Sequence, residues 1–310
     1  MSNDEFAEIV DTSDEWIRSH TGIGYRHIAA VDQAASDLGL AAAQQALERA
    51  QIDASEIDMV LCATASGDYV GFPSTACVIQ HRLGATNAGA MDLIVGCTGF
   101  VYGLETAKGL IASGAAQHVM LVGSEVLTRI MDWTDRNTCV LFGDGAGAAV
   151  ISHSDNDHGI LDSLLRSDGS RSMALARKIG GTRNPFKPGE TPEADTFIQM
   201  EGRAVYNFAV QVIVDTLQTI LSRNHIGIDD LKFIVPHQAN MRIIEAAAKR
   251  AKIPLDKFYL NIEEYANTSA ATIPIALNEL YEKQQLERGD LLITVGFGAG
   301  LTFGGNLLRW

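Results

Sequence analysis

Apolar residues recur along this chain in two alternating rhythms. Short, mainly apolar runs at 57–63, 91–95 and 118–123 predict strands, and between them apolar residues three and four apart predict helices. Leu38, Ala42, Ala46 and Leu47 predict a helix over 35–50, and Phe72-Pro-Ser-Thr opens another that runs through Ile79 to Leu83. Phe100, Leu104, Ala107 and Ile111 predict a helix after the run at 91–95. The rhythm then begins again. A long helix is expected over 202–222 (Val205, Phe208, Ala209, Val212, Leu217, Ile220), then a strand at 231–235, a helix at 240–251 and a strand at 291–295. Strands alternating with helices predict an α/β fold on a mostly parallel, helix-covered sheet. The polar connection Asp-Asn-Asp-His at 155–158 is the expected boundary between halves 1–154 and 155–310, and the Gly-, Pro- and Arg-containing stretch 167–195 is expected to lie over the surface. No residue repeat between the halves is strong enough to establish duplication.

Near the start, Thr12 or Ser13 is an expected N-cap for a short helix carrying Trp16 among charged residues. Trp16 either anchors that segment or offers a face for a ligand to stack on. The run Gly143-Asp-Gly-Ala-Gly-Ala fits the spacing of a dinucleotide-binding loop, but Ala149, Val150 and Ile151 predict a strand where that loop requires a helix. A tight turn beside a packed backbone is the better expectation.

The length of 310 residues suits two domains or one large α/β unit. A net charge of −14 excludes a dominant basic surface and so argues against nucleic acid as partner. No apolar run approaches a membrane span, and the acidic N-terminus does not resemble a signal peptide, so the cytoplasm is expected. Cys62, Cys77, Cys97 and Cys139 are too widely spaced for a disulfide scaffold or a CxxC site and are expected to be reduced thiols.

One of these thiols stands apart. Cys97 lies between the apolar run 91–95 and the following helix, where unpaired N–H groups and the helix dipole favour a thiolate. Gly96, Thr98 and Gly99 around it are expected to leave room for a substrate carbonyl. On this stretch alone Cys97 is either a nucleophile or a buried apolar filler. Two other stretches could supply partners: Pro236-His237-Gln238-Ala239-Asn240 after a strand, and Ala266-Asn267-Thr268-Ser269-Ala270-Ala271 before the helix from Pro274.

Together with Val10-Asp-Thr-Ser-Asp-Glu-Trp-Ile, Phe72-Pro-Ser-Thr-Ala-Cys, Asp132-Trp-Thr-Asp-Arg, Phe142-Gly-Asp-Gly-Ala-Gly-Ala and Gly296-Phe-Gly-Ala-Gly, these stretches make the chain resemble the β-ketoacyl-acyl-carrier-protein synthase III family from about residue 3 to its end. The resemblance implies a thiolase-like fold, two similar halves in a five-layered αβαβα arrangement, and a homodimer. It implies a decarboxylative Claisen condensation of acetyl-CoA or a related acyl-CoA starter with malonyl-acyl-carrier protein, without metal and with no cofactor beyond the CoA thioester substrate. Cys97 would carry the acyl group, with His237 and Asn267 donating to the malonyl thioester oxygen. The backbone N–H groups of Cys97 and Ala299 would form an oxyanion hole, and Phe297 would shield the site. Trp16 and Arg136 would hold the adenine of CoA between them, with Asn240 in the pantetheine tunnel. Phe72 would reach the partner subunit's acyl pocket, and Arg242, Lys249 and Arg250 would receive the acidic carrier protein. The alternative readings are a synthase-III-like starter or acyl-transfer enzyme of polyketide or secondary metabolism, which would keep the Cys, His and Asn but change the acyl pocket, and an inactive truncated relative that only binds carrier protein.

Some positions depart from the family pattern. The family's first strand would precede Met1; His20 and Gly24 stand where arginine is common, Asn207 where lysine is, and Val95-Gly96 where two alanines are usual. Ala299 replaces a glycine and would be strained if φ there were positive.

Overall fold

The computed structural model describes residues 1–154 and 156–310. Asp155, the first residue of the expected boundary at 155–158, lies outside the described residues. Two short helices open the chain, α1 (Asn3–Ala7) and α2 (Asp14–Thr21), the second capped by the Ser13 hydroxyl, which accepts from the Trp16 N–H at 3.1 Å. Then come α3 (Ala35–Ala50), β1 (Met59–Ala63), α4 (Thr75–Leu83), β2 (Gly89–Leu93), α5 (Gly99–Ala112), β3 (His118–Glu125), α6 (Arg136–Cys139) and β4 (Gly145–Ser152). The second part holds β5 (Gly159–Ser167), β6 (Leu175–Arg177), β7 (Ile198–Met200), α7 (Gly202–Asn224), β8 (Leu231–Pro236), α8 (Met241–Ala251), α9 (Ile262–Tyr265), α10 (Thr272–Glu282), β9 (Leu291–Gly298) and β10 (Thr302–Arg309).

Strands before residue 153 build one sheet, ordered β2-β1-β3-β4, and later strands build another, ordered β5-β10-β9-β8. The parallel expectation holds only in part: β2, β1 and β3 run parallel, as do β8 and β9, but β4, β10 and β5 pair antiparallel. Each sheet is therefore mixed. Strands β5 and β10 escaped the sequence pattern, and the glycines of β10 explain why. A Cβ on Gly304 would lie 2.2 Å from the Leu164 carbonyl oxygen and one on Gly305 2.5 Å from that of Thr294, so these glycines allow close strand packing but interrupt the apolar run that marks a strand in sequence. The glycine run after Phe142 is likewise not a turn, since Gly145 and Gly147 already belong to β4 and Gly147 packs on Pro274 and Ile275 of α10.

Helices α3 and α4 cover the outer face of the first sheet, α7 and α8 the outer face of the second, and α5 and α10 lie between the sheets in contact with both, giving five layers. Residues 60–63 of β1 are fully buried, as a central parallel strand covered on both faces must be. Among the described residues, α7 alone has the length and composition to cross a membrane; Phe208, Ile213, Leu217 and Ile220 instead bury it against the second sheet and α8. The insert 167–195 is mostly exposed turns, tied down where β6 pairs with β7.

The two sheets are not equivalent at one edge. In the second, β5 covers β10; in the first, the corresponding antiparallel strand β4 has no further neighbour in its sheet among the described residues, and a groove of about 440 Å³ runs beside it between α3 and α10. The residues singled out in the sequence lie elsewhere, at the carboxyl ends of the strands: β2 leads to Cys97, β8 to His237, and β9 ends on Phe297 and leads to Ala299.

Candidate active site

Cys97 occupies a single 3₁₀ turn, Gly96–Thr98, and α5 starts two residues later at Gly99. Gly96, at φ +56°, brings this turn against the β9–β10 turn; a Cβ there would meet the Ala299 nitrogen at 3.0 Å. A Cβ on Gly298 would lie 2.8 Å from the Cys97 nitrogen. Only glycine at both places lets the Cys97 and Ala299 backbones meet. The Thr98 and Thr302 hydroxyls, 2.6 Å apart, fasten the two turns, and Thr302 also donates to the Val95 or Ala299 carbonyl. Ala299 is not among the residues with positive φ; that conformation falls on Gly300, at +130°, so the alanine is unstrained. Gly99 serves packing rather than substrate approach, because a Cβ there would lie 2.6 Å from that of Ala63.

The thiol itself departs from the expected easy ionisation. Burial pushes Cys97 up to about 12, the neighbouring Glu125 carboxylate adds to the rise, and a hydrogen bond from Ser269 offsets only part of it. The resting side chain is a thiol.

His237 follows β8, its backbone N–H held by the Val295 carbonyl at 2.7 Å. Its ring is buried, meets Phe297 edge-on at 5.2 Å, and has Nδ1 2.8 Å from the Thr272 hydroxyl. Burial lowers its pKa to about 3, so the imidazole is neutral. Asn267 is pinned to the segment after α6, its N–H donating to the Leu141 carbonyl and its carbonyl accepting from Gly143. Its side-chain oxygen accepts from the Ser269 N–H at 2.9 Å, which commits the amide NH₂ to the opposite side.

Cys97 stands where two cavities meet. One, about 220 Å³, is lined by Trp16, His20, Asn240, His237, Asn267 and Phe297 as well as Cys97. The other, about 100 Å³ and largely apolar, is lined by Cys97, Ala65, Phe142, Leu175, Ser269 and Ala299. Cys97, His237, Asn267 and Phe297, predicted from three distant stretches, are thus brought together. Two groups around them carried no pattern that sequence reading could use: Glu125 and Thr272 look like ordinary strand and helix residues, while Ser269 lay in the Asn267 stretch with no role assigned to it.

The outer residues fall as follows. Arg136 lies over the Trp16 ring at 4.9 Å while donating to the Asp11 carbonyl, and His20 stacks beside the same indole at 4.4 Å. A purine can enter between indole and guanidinium only if Arg136 swings aside. Asn240 caps α8 through its oxygen and donates to the His20 carbonyl at 3.1 Å. Gly24 has a local reason, since a Cβ there would lie 2.6 Å from the Arg18 guanidinium, which pairs with Asp14 and Glu263. Arg242, Lys249 and Arg250 are exposed on α8, and Asn207 is exposed on α7. Phe72 is 89% exposed and lines neither cavity.

The geometry has counterparts. Residues 91–169 match the family described as 3-oxoacyl-[acyl-carrier-protein (ACP)] synthase III, and residues 221–310 match its C-terminal region. The chain is 48% identical over 312 residues to the β-ketoacyl-[acyl-carrier-protein] synthase III of Clostridium beijerinckii, covering all of this chain and 95% of that protein. It is 46% identical over 311 residues to the enzyme of the same name from Caldanaerobacter subterraneus, covering all of this chain and 93% of that one. The crystal structure of the synthase III from Thermus thermophilus superimposes with a TM-score of 0.92 at 39% identity, over the whole of this chain and 95% of the other. On sequence and fold alike, this chain belongs to the β-ketoacyl-[acyl-carrier-protein] synthase III family, with its thiolase-like α/β architecture.

Proposed function

We propose that Cys97 holds the acyl group, and His237 and Asn267 generate the carbon nucleophile, in the condensation of an acyl-CoA with malonyl-acyl-carrier protein that initiates fatty-acid synthesis. The observation that carries this assignment is the position of Cys97 at the junction of a long cavity and a short apolar one, with His237 and Asn267 on the long side only. A pantetheine arm entering past Trp16, Arg136 and Asn240 delivers its thioester to the sulfur; the acyl chain then rests in the short cavity, whose volume of about 100 Å³ suits acetyl or a similarly short starter. The N–H groups of Cys97 and Ala299 receive the oxyanion of this transfer.

In the second half-reaction the malonyl thioester oxygen gains charge as CO₂ leaves. The Asn267 NH₂ donates to it, and so does His237 Nε2–H when the Thr272 hydroxyl donates to Nδ1. Phe297 against the imidazole keeps water away and favours loss of the charged carboxylate. The carbanion attacks the acyl carbon and releases the Cys97 sulfur.

The partners follow the same reading. Arg242, Lys249 and Arg250 form a local basic face on an acidic protein, which suits an acidic carrier. A homodimer would cover Phe72 and the exposed Met91 and Ile94 along β2, the other edge of the first sheet. Four unpaired cysteines fit a cytoplasmic setting.

Intact-mass measurement after mixing with acetyl-CoA tests the core of the assignment. One acetyl adduct is expected on the wild type and none on Cys97→Ala. His237→Ala and Asn267→Ala should still take the acetyl group yet lose about 10² to 10³ in malonyl decarboxylation. An adduct that survives in Cys97→Ala, or normal condensation by either donor variant, would overturn it.

A further inference from the structure

Among the described residues a single charged residue lines the short cavity, and acetyl transfer does not use it. Arg177 ends β6, which pairs antiparallel with β7 so that Leu175 stands opposite Met200 and Arg177 opposite Ile198. Directly opposed residues, and residues two apart along a strand, share one face of such a ribbon. Leu175 and Met200 line the long cavity, and Leu175, Arg177 and Ile198 line the short one. That face of the β6–β7 ribbon therefore covers the site. It is fastened there by the Ile198 N–H, which donates to the Ile130 carbonyl at 2.9 Å. Cys97 is buried and Arg177 exposed, so the cavity has its sulfur on the inner side and its cation on the solvent side.

Arg177 is held but not neutralised. Its Nε donates to the Thr196 carbonyl at 2.6 Å, which leaves both terminal NH₂ groups for another acceptor. Arg171 and Lys187 of the same insert pair with Asp168 and Glu190, whereas Arg177 has no ion-pair partner among the described residues. No aspartate or glutamate lines the cavity, and Asp195, next to Thr196 in the chain, accepts instead from Gln199 at 3.4 Å. A planar fork of N–H donors on a cation matches a carboxylate. Building on the reading that this cavity receives the chain of an acyl-Cys97, we propose that Arg177 selects short acyl groups that end in a carboxylate, delivered as the mono-CoA thioester of a dicarboxylic acid.

The reaction is that of an acetyl group with a longer passenger. The Cys97 sulfur bonds the thioester carbon, the carbon–sulfur bond to CoA breaks, and the thiol proton ends on CoA. Malonyl-carrier protein then loses CO₂ and its carbanion takes the acyl group, giving a 3-oxoacyl chain that keeps its far carboxylate. Leu127, Ile130 and Phe142 wall the cavity and cover the methylenes. An acetyl group ends among these apolar walls and leaves Arg177 to solvent. An alkyl chain long enough to cross the cavity presses methyl groups on the guanidinium and strips its water without replacing it. A carboxylate at the same place replaces that water with two charge-assisted N–H···O bonds. Length and end group are thus read by different parts of one cavity.

The test is the rate of acyl-Cys97 formation by the full-length protein, followed by intact mass, with three thioesters: acetyl-CoA, succinyl-CoA and 4-methylpentanoyl-CoA. The last is the neutral isostere of succinyl, with an isopropyl group in place of the far carboxylate. The wild type should take succinyl about tenfold faster than the isostere, or more. Arg177→Leu should lower the succinyl-to-acetyl rate ratio by about 10- to 100-fold and raise the isostere-to-acetyl ratio. Arg177→Lys keeps the charge but loses both the fork and the bond to Thr196, and its succinyl-to-acetyl ratio should fall between those of the wild type and Arg177→Leu. A role confined to holding the ribbon would lower all three rates together and would not separate lysine from leucine. The wild-type comparison of succinyl with its isostere stands even if the variants do not fold. A wild type that takes acetyl but takes succinyl no faster than the isostere would overturn the proposal and leave the Cys97 assignment intact. So would Arg177→Leu with the wild-type ratio, or with equal slowing on all three thioesters. A wild type that takes no acyl group from any of them would overturn the Cys97 assignment and this proposal with it.

Discussion

The imidazole of His237 has one polar neighbour that decides its tautomer, the Thr272 hydroxyl at 2.8 Å from Nδ1. That hydroxyl can also donate to the Ser269 carbonyl at 3.0 Å, but this carbonyl already receives the Thr272 N–H, so the hydroxyl is free to turn to Nδ1. Thr272→Val removes the choice while keeping volume. Because a hydrogen bond is worth about 1 to 1.5 kcal/mol, malonyl decarboxylation should fall roughly tenfold in this variant and recover in Thr272→Ser. The pH dependence follows from the same burial. His237 takes a proton only near 3, whereas in the unfolded chain it does so near 6.5. Lowering the pH from about 8 to about 5 should therefore leave decarboxylation unaffected by this residue, although an exposed histidine would titrate in that window. The unfolded state binds the extra proton between these two values, so the contribution of His237 to stability is lost as pH falls through the window. Chemical denaturation at several pH values should show a shallower acid slope for His237→Gln; an unchanged slope would contradict a neutral buried ring. At this scale the sequence was informative where chemistry is local. Cys97 and its two glycines share one stretch, but nothing in Gly123-Ser-Glu-Val reveals that the end of β3 packs against a turn some 145 residues away.

Elements were legible in proportion to how well one periodicity described them. The helix expected over 35–50 matches α3 (Ala35–Ala50) residue for residue, and α7 and α8 begin within a residue or two of expectation. Strand β10 was invisible because its packing requires glycine, the residue that signals a turn in sequence. Helix α8 carries a prediction of its own. Its buried face is Ile243, Ile244, Ala247 and Ala248, which leaves Lys249 and Arg250 in solvent at its last turn. Both also complement the negative end of the helix dipole, so their substitution carries a small stability cost. Lys249→Glu and Arg250→Glu should raise the KM for malonyl-carrier protein several-fold, more so at low salt, and spare the KM for acetyl-CoA. Equal effects on both substrates in steady-state assays would show that the carrier docks elsewhere. Arg242 is a poorer probe because its Nε also holds the Ser19 carbonyl at 2.7 Å, beside the tunnel mouth.

The candidate site is drawn from both sheets: Cys97 follows the first, His237 and Ala299 the second, and Asn267 lies in the turn before α10, which packs between them. Periodicity could not reveal this, since it locates elements but not which strand ends face each other. The first sheet has exposed apolar residues at its β2 edge: Met91 is 39% exposed and Ile94, just past the strand, 76%, while Tyr69, Val70 and Phe72 in the loop before α4 are 60%, 77% and 89% exposed. A monomer in water would pay there through both hydrophobic exposure and an unpaired strand edge. Joining two copies along β2 would remove both costs. Ile94→Asp places a charge at the centre of that contact and should shift the protein from dimer to monomer in light scattering coupled to size exclusion. Because Ile94 lies only three residues before Cys97, the monomer should also acetylate more slowly, through loosening of the 96–98 turn. Phe72→Ala removes an apolar anchor from a more distant position, so it should weaken dimerisation with a smaller effect on that turn. A protein that stays monomeric without substitution, with a full acetylation rate, would show that the β2 edge is not the site of self-association.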